Sequence, residues 1–165
     1  MEVLQSLEVY TVSQKAVGIQ FGVIGVVLLI AAGCLYFFNS TTDFSNGLKV
    51  GLLVWGLFGL VSGIGYHTFS VKLHEKALEQ HAQNQEEFVR AEVPRMQKVL
   101  SDYPKYQLAF AAFIVISLLV IFIVGKPFWT GIAFATILFN VGMMIVEAYS
   151  HISIKAYIDA LSKIS

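Results

Sequence analysis

YQLAFAAFIVISLLVIFIVG, residues 106–125, carries no charged side chain. A helix rises about 1.5 Å per residue, so a run of this length covers the ~30 Å hydrocarbon core of a bilayer. Hydrocarbon offers no water to backbone N–H and C=O groups, so a crossing segment must be a helix or a strand of a closed barrel. The run shows none of the polar–apolar alternation that a barrel strand requires. It reads as a membrane-spanning helix.

Three more stretches read the same way. Residues 127–149 hold Asn140 near the middle and Glu147 near the end. Residues 47–69 begin close to Lys49 and end close to His67, and residues 16–38 have Gln20 as their one strongly polar member. Glu2 and Glu8 precede the first base, Lys15. A secretory leader would instead start positive, so the first stretch is expected to stay as a span. The whole chain agrees: of its 165 residues 56% are hydrophobic and only 13% charged, against about 25% charged in soluble domains. The eleven Lys and Arg balance the eleven Asp and Glu, which gives no footprint for a nucleic-acid partner. The expected fold is an all-α membrane protein, a bundle of four transmembrane helices in the lipid bilayer.

Basic residues set the orientation. Lys15, Lys72, Lys76, Arg90, Arg95, Lys98, Lys105, Lys155 and Lys163 fall on one side, and only Lys49 and Lys126 on the other. Both termini and the middle loop are therefore expected in the cytoplasm, with the protein in the inner (plasma) membrane. Five segments follow: an amphipathic interfacial helix over 1–15, a first transmembrane hairpin over 16–69, a cytoplasmic helical hairpin over 70–105, a second transmembrane hairpin over 106–149, and a cytoplasmic C-terminal helix over 150–165. Residues 70–92 contain neither Gly nor Pro. The second span is thus expected to continue as one helix until Pro94 interrupts it, with a short helix from Arg95 to Asp102. Val71, Leu78, Ala82, Val89 and Val93 form a narrow apolar stripe on this segment. Shifting the chain by 83 residues aligns Gly59 with Gly142, Tyr66 with Tyr149, Ser70 with Ser153, Lys72 with Lys155, Ala77 with Ala160 and Leu78 with Leu161. That pattern leaves open a duplicated two-helix hairpin whose copies share one orientation.

Candidate chemistry is sparse. His67, His74 and His81 are spaced by seven, which is about 10.5 Å of helix rise and too far for one metal ion. Glu147 and His151 share a helix face, and with His67 they could hold a metal; alternatively His67 and His151 could ligate a haem. The favoured reading of these residues is interfacial and solvated, with no cofactor. The acidic group Glu86, Glu87 and Glu92 reads as a solvated helix face. Cys34 is solitary, so it forms neither an internal disulfide nor a CxxC pair. Neither a nucleophile elbow nor a phosphate-cradling loop is present. Asn140, near the bilayer midplane, should bond to another helix, with Thr136, Ser62 and Ser117 as mates. Gly18/Gly22, Gly47/Gly51 and Gly59/Gly63 supply small-residue faces for close helix packing.

In size and layout the chain resembles small four-span bacterial inner-membrane proteins, among them immunity proteins against membrane-depolarising toxins. The likeness is one of architecture, and architecture does not establish function. By elimination the expected function is non-enzymatic: helix–helix interaction with another membrane protein, either a membrane-targeting toxin or a complex it regulates as an accessory subunit, or self-association. Gly59, Gly63, Asn140, Leu78, Ala82 and Val89 are the expected contact residues. The alternatives are an oligomeric small-solute or ion transporter, and a haem- or metal-binding subunit using His67 and His151.

Overall fold

The computed structural model describes residues 2–38 and 41–163, with side chains from residue 4 onward. The side chains of Glu2 and Val3, named in the N-terminal segment, lie outside the described residues. Four helices make the fold: α1 (Glu2–Phe37), α2 (Asp43–Gln83), α3 (Gln85–Leu119) and α4 (Pro127–Ser162). All four are long and apolar enough to cross a membrane. At about 1.5 Å per residue, 35 to 41 residues give helices of roughly 52 to 61 Å, nearly twice the hydrocarbon thickness.

The extra length is not loose. One core holds Val17, Phe21, Leu28, Leu52, Phe139 and Met143. A second, further along the same helices, holds Leu7, Tyr10, Ala77, Phe88, Val89, Met96, Ile154, Tyr157 and Leu161. The four helices therefore continue past the apolar half as one bundle. At one end Gly47 abuts the Phe128 backbone, so the α1–α2 and α3–α4 connections lie together. The termini and the α2–α3 turn share the opposite end.

Helix α1 differs from the expected separate interfacial helix. It runs unbroken through residue 15, because Leu7, Tyr10, Gln14, Val17, Phe21 and Leu28 are buried along one seam. Their alternating three- and four-residue spacing is that of a coiled-coil face, which keeps a helix in register with its neighbour. Helix α2 carries the matching seam largely in small residues: Ser45, Gly56, Gly59, Gly63, Ser70 and Ala77 are buried, with Lys49 and Leu52 among them.

The turn between α2 and α3 lies at Asn84, ten residues before the proline expected to make it. Asn84 leaves the helical region (φ −156°, ψ 104°), and its side-chain oxygen accepts hydrogen bonds from the backbone N–H of Glu86 and Glu87. That is an N-cap, and Glu86 and Glu87 then suit the positive helix start. Pro94 and Pro104 both sit inside α3, which packs along α4 and, less closely, α2. A five-residue π-turn, Val120–Val124, closes α3, and Gly125 follows at φ 60°. This left-handed conformation suits glycine, and Pro127 opens α4 two residues later.

Positions matched by the 83-residue shift do not share surroundings. Tyr66 is half-buried while Tyr149 is 67% exposed, and Leu78 is 41% exposed while Leu161 is 1% exposed.

Candidate functional site

Each residue expected to contact a partner has a definite place. Gly59 and Gly63 face α1: a Cβ on Gly59 would stand 3.1 Å from Gly25 Cα, and one on Gly63 would collide with the backbone of Gly22 and Gly18. Their open faces are therefore filled by α1 of the same chain. Val89 is likewise enclosed in the second core at 5% exposure. It belongs to a seam with Ala77 and Phe88, not to a surface stripe. Leu78 and Ala82 are exposed.

Asn140 is buried at 1% exposure, but its Nδ2 donates to the Thr136 carbonyl, one turn back on its own helix, at 2.8 Å. The interhelical bond at this level comes from Trp55, whose Nε1 donates to Thr136 Oγ1 at 2.8 Å. Trp55 also stacks on Phe139 (centroids 4.7 Å apart) and meets Phe113 edge-on at 5.9 Å. An aromatic knot thus joins α2, α3 and α4, each such ring pair contributing about 0.5–1.5 kcal/mol beyond burial.

The histidines part company. His67 Nδ1 faces the Lys15 carbonyl at 3.4 Å, whereas the His151 ring stacks on Tyr103 with centroids 4.1 Å apart. One packs on α1 and the other on α3. Among the described residues no three His, Cys, Asp or Glu side chains converge as a metal site.

Two polar clusters that the sequence did not announce bind the helices together. Glu92, read as part of a solvated face, is 6% exposed and clasps Arg95 through two hydrogen bonds of 2.6 and 2.5 Å. Tyr157 donates to Glu92 Oε1 at 3.3 Å, and the Tyr157 ring stacks on Tyr10 at 4.9 Å. Helices α1, α3 and α4 meet there. Burial works against the Arg95 charge, but the hydrogen bonds and attraction to Glu92 outweigh it and raise the guanidinium pKa. Burial, reinforced by Glu92, raises the Tyr157 phenol as well. Glu86 and Glu87 do remain exposed.

Gln14 is the second hub. It accepts a short hydrogen bond from the Tyr66 hydroxyl and donates to Ser150 Oγ at 3.0 Å, tying α1 to α2 and α4. One turn away, Thr11 gives its hydroxyl proton to the Leu7 carbonyl at 2.8 Å and lies 2.9 Å from His74 Nδ1. With its proton so committed, the Thr11 oxygen accepts, which assigns the proton to Nδ1 of His74. Burial, followed by repulsion from Lys15, lowers the His74 pKa and keeps the ring neutral.

These hubs edge a cavity of about 510 Å³ that is lined by all four helices. Its volume is in the range of small-molecule sites, roughly 300–1,000 Å³. Phe58 and Phe110 line it toward the apolar half, while His74, Arg95 and Asp102 line it toward the charged half. Glu147 and Tyr66, Tyr103 and Tyr106 lie on its wall between them. Known protein families, curated proteins and solved structures return no match to this chain.

Proposed function

We propose that the protein is a multi-pass inner-membrane protein, with both termini and the Asn84 turn in the cytoplasm, that acts by binding another membrane protein through α3. The orientation rests on the nine basic residues at that end of the bundle against two at the other. Burial supports the choice of surface, and this observation carries the proposal. The most apolar window of α3 has a mean hydropathy of 2.9 and is 6% buried, against 33%, 39% and 44% for α1, α2 and α4. The helix best suited to hydrocarbon contributes least to its own bundle. In lipid, helices associate through van der Waals packing and hydrogen bonds, and α3 holds most of its apolar face free for such packing. Neutralising a membrane-targeting toxin and regulating a membrane complex both need a surface of this kind.

Photo-crosslinkers at Leu108, Val115 and Leu119, exposed by 71%, 55% and 50%, test the reading in the native membrane. A protein adduct of one discrete mass is expected from these positions and not from Val23 or Ile30 on α1. Lipid adducts alone from α3 would overturn it. The cavity favours small-solute transport as the second reading. That reading takes over if the purified protein moves a solute across liposomes and Glu147→Gln abolishes the movement.

A further inference from the structure

The cavity wall carries four side chains that can be charged, and three of them are answered. Arg95 is held by Glu92 at 2.5 Å, Asp102 by Lys105 at 2.5 Å, and His74 is kept neutral beside Thr11. Glu147 is half-buried on α4, and among the described residues it has neither a hydrogen bond nor an ion pair. The Tyr66 hydroxyl donates to Gln14, whose amide donates to Ser150, and the Tyr103 hydroxyl accepts from Gln107 Nε2 at 3.1 Å. A carboxylate without a partner in a half-apolar wall is costly, and a cation in the cavity would offset that cost.

The rings around it suit the same occupant. Tyr66, Tyr103 and Tyr106 line the same cavity as Glu147. The faces of aromatic rings attract ammonium groups. Phe58 and Phe110 then offer apolar surface to the rest of the molecule. The cavity mouth is marked by Phe69 on α2 and Tyr106 on α3, 61% and 56% exposed. These residues lie at the ends of the apolar stretches of their helices. An amphiphile resting in a membrane surface carries its head group at that level and its tail deeper.

We propose that this cavity binds a cationic amphiphile, with its amine or quaternary ammonium head at Glu147 among Tyr66, Tyr103 and Tyr106 and its apolar part against Phe58 and Phe110. The site is separate from the lipid-facing side of α3, so it stands whether or not α3 carries a partner. The test uses the full chain in nanodiscs of zwitterionic lipid, with a styrylpyridinium dye whose fluorescence rises when it leaves water. Saturable binding beyond that of empty nanodiscs is expected, with competition by decyltrimethylammonium but not by decanoate. Glu147→Gln should weaken the dye Kd tenfold or more, with the helical circular dichroism signal unchanged. Ser62→Trp, which puts a large side chain into the cavity from α2 and leaves Glu147 in place, should abolish binding with the circular dichroism signal again unchanged. Equal affinity in Glu147→Gln, equal competition by decanoate, or no binding beyond empty nanodiscs would each overturn the proposal.

Discussion

Replacing Gly63 with alanine adds one methyl group where α1 and α2 meet. That methyl carbon would stand 2.7 Å from the Gly18 carbonyl oxygen and 2.8 Å from Gly22 Cα, and closer still to Gly22 N, whereas ordinary contact begins at 3.4 Å. The neighbour is backbone, which cannot rotate aside, so α1 must retreat locally by roughly 1 Å, set by the Gly22 N contact. Overpacking of this kind costs about 1–3 kcal/mol. Gly65, two residues along the same helix, meets nothing within 4 Å of the added methyl. Both substitutions gain the same helix propensity, about 1 kcal/mol, and both lie at nearly the same depth. Subtracting one from the other leaves the packing term: Gly63→Ala should be less stable than Gly65→Ala by about 1–3 kcal/mol. Reversible unfolding of the purified protein in mixed micelles, followed by circular dichroism, measures the difference. Equal stability of the two variants would refute the close approach of α1 and α2, and with it the account of why Gly59 and Gly63 are closed to a partner.

Val89→Asp places a carboxylate in the second core and should destabilise the fold by roughly 3 kcal/mol or more, whereas Leu78→Asp, at an exposed position, should change it by under about 0.5 kcal/mol; the same unfolding measurement ranks them. Glu92→Ala strands Arg95 and removes the acceptor for Tyr157, costing about 2 kcal/mol given that Arg95 is only partly enclosed; a Glu92→Ala, Arg95→Met double variant should recover part of that loss. Burial lowers the pKa of both His74 and His151, followed in each case by repulsion from a nearby lysine. The folded state therefore binds fewer protons than the unfolded chain, and stability present above the ordinary histidine value of 6.5 is lost as pH falls below it. Unfolding followed from pH 8 to pH 5 should show that loss shrink when both histidines are replaced by glutamine.

Residues 106–125 and their three counterparts were plain in the sequence because hydrocarbon leaves a helix as the one structure such runs can adopt. The continuity of α1 was legible too, though only to a reader who carried the spacing of Leu7, Tyr10, Gln14, Val17 and Phe21 across the change from polar to apolar composition. The turn at Asn84 was misplaced because Pro94 is the stronger breaker in isolation. The sequence Asn84-Gln85-Glu86-Glu87 nevertheless has the shape of a helix start, and cap chemistry won over proline when packing held α3 straight through. Gly59 and Gly63 were recognised as packing residues, but small residues on a helix do not say whose helix they meet; that depends on Gly18, Gly22 and Gly25 crossing opposite. Glu92 was hidden for a related reason: a carboxylate beside Glu86 and Glu87 looks solvated until Arg95, Tyr10 and Tyr157 arrive from other turns and other helices. Glu147 carried the weakest signal. Its sequence neighbours suggest only a ligand in want of companions, and its cavity is assembled from all four helices, Tyr66, Tyr103 and Tyr106 among them.

The proposed orientation puts one end of this bundle, with the Asn84 turn, in the cytoplasm and the end bearing Thr41 and Lys126 across the membrane. Single cysteines at Glu87 and Thr41, each in a Cys34→Ser background, test it with a thiol reagent that does not cross bilayers. In intact cells with the outer barrier opened, the Thr41→Cys protein should be labelled at once and the Glu87→Cys protein only after the inner membrane is permeabilised. Labelling of the Glu87→Cys protein before permeabilisation, or equal labelling of the two, would contradict the account.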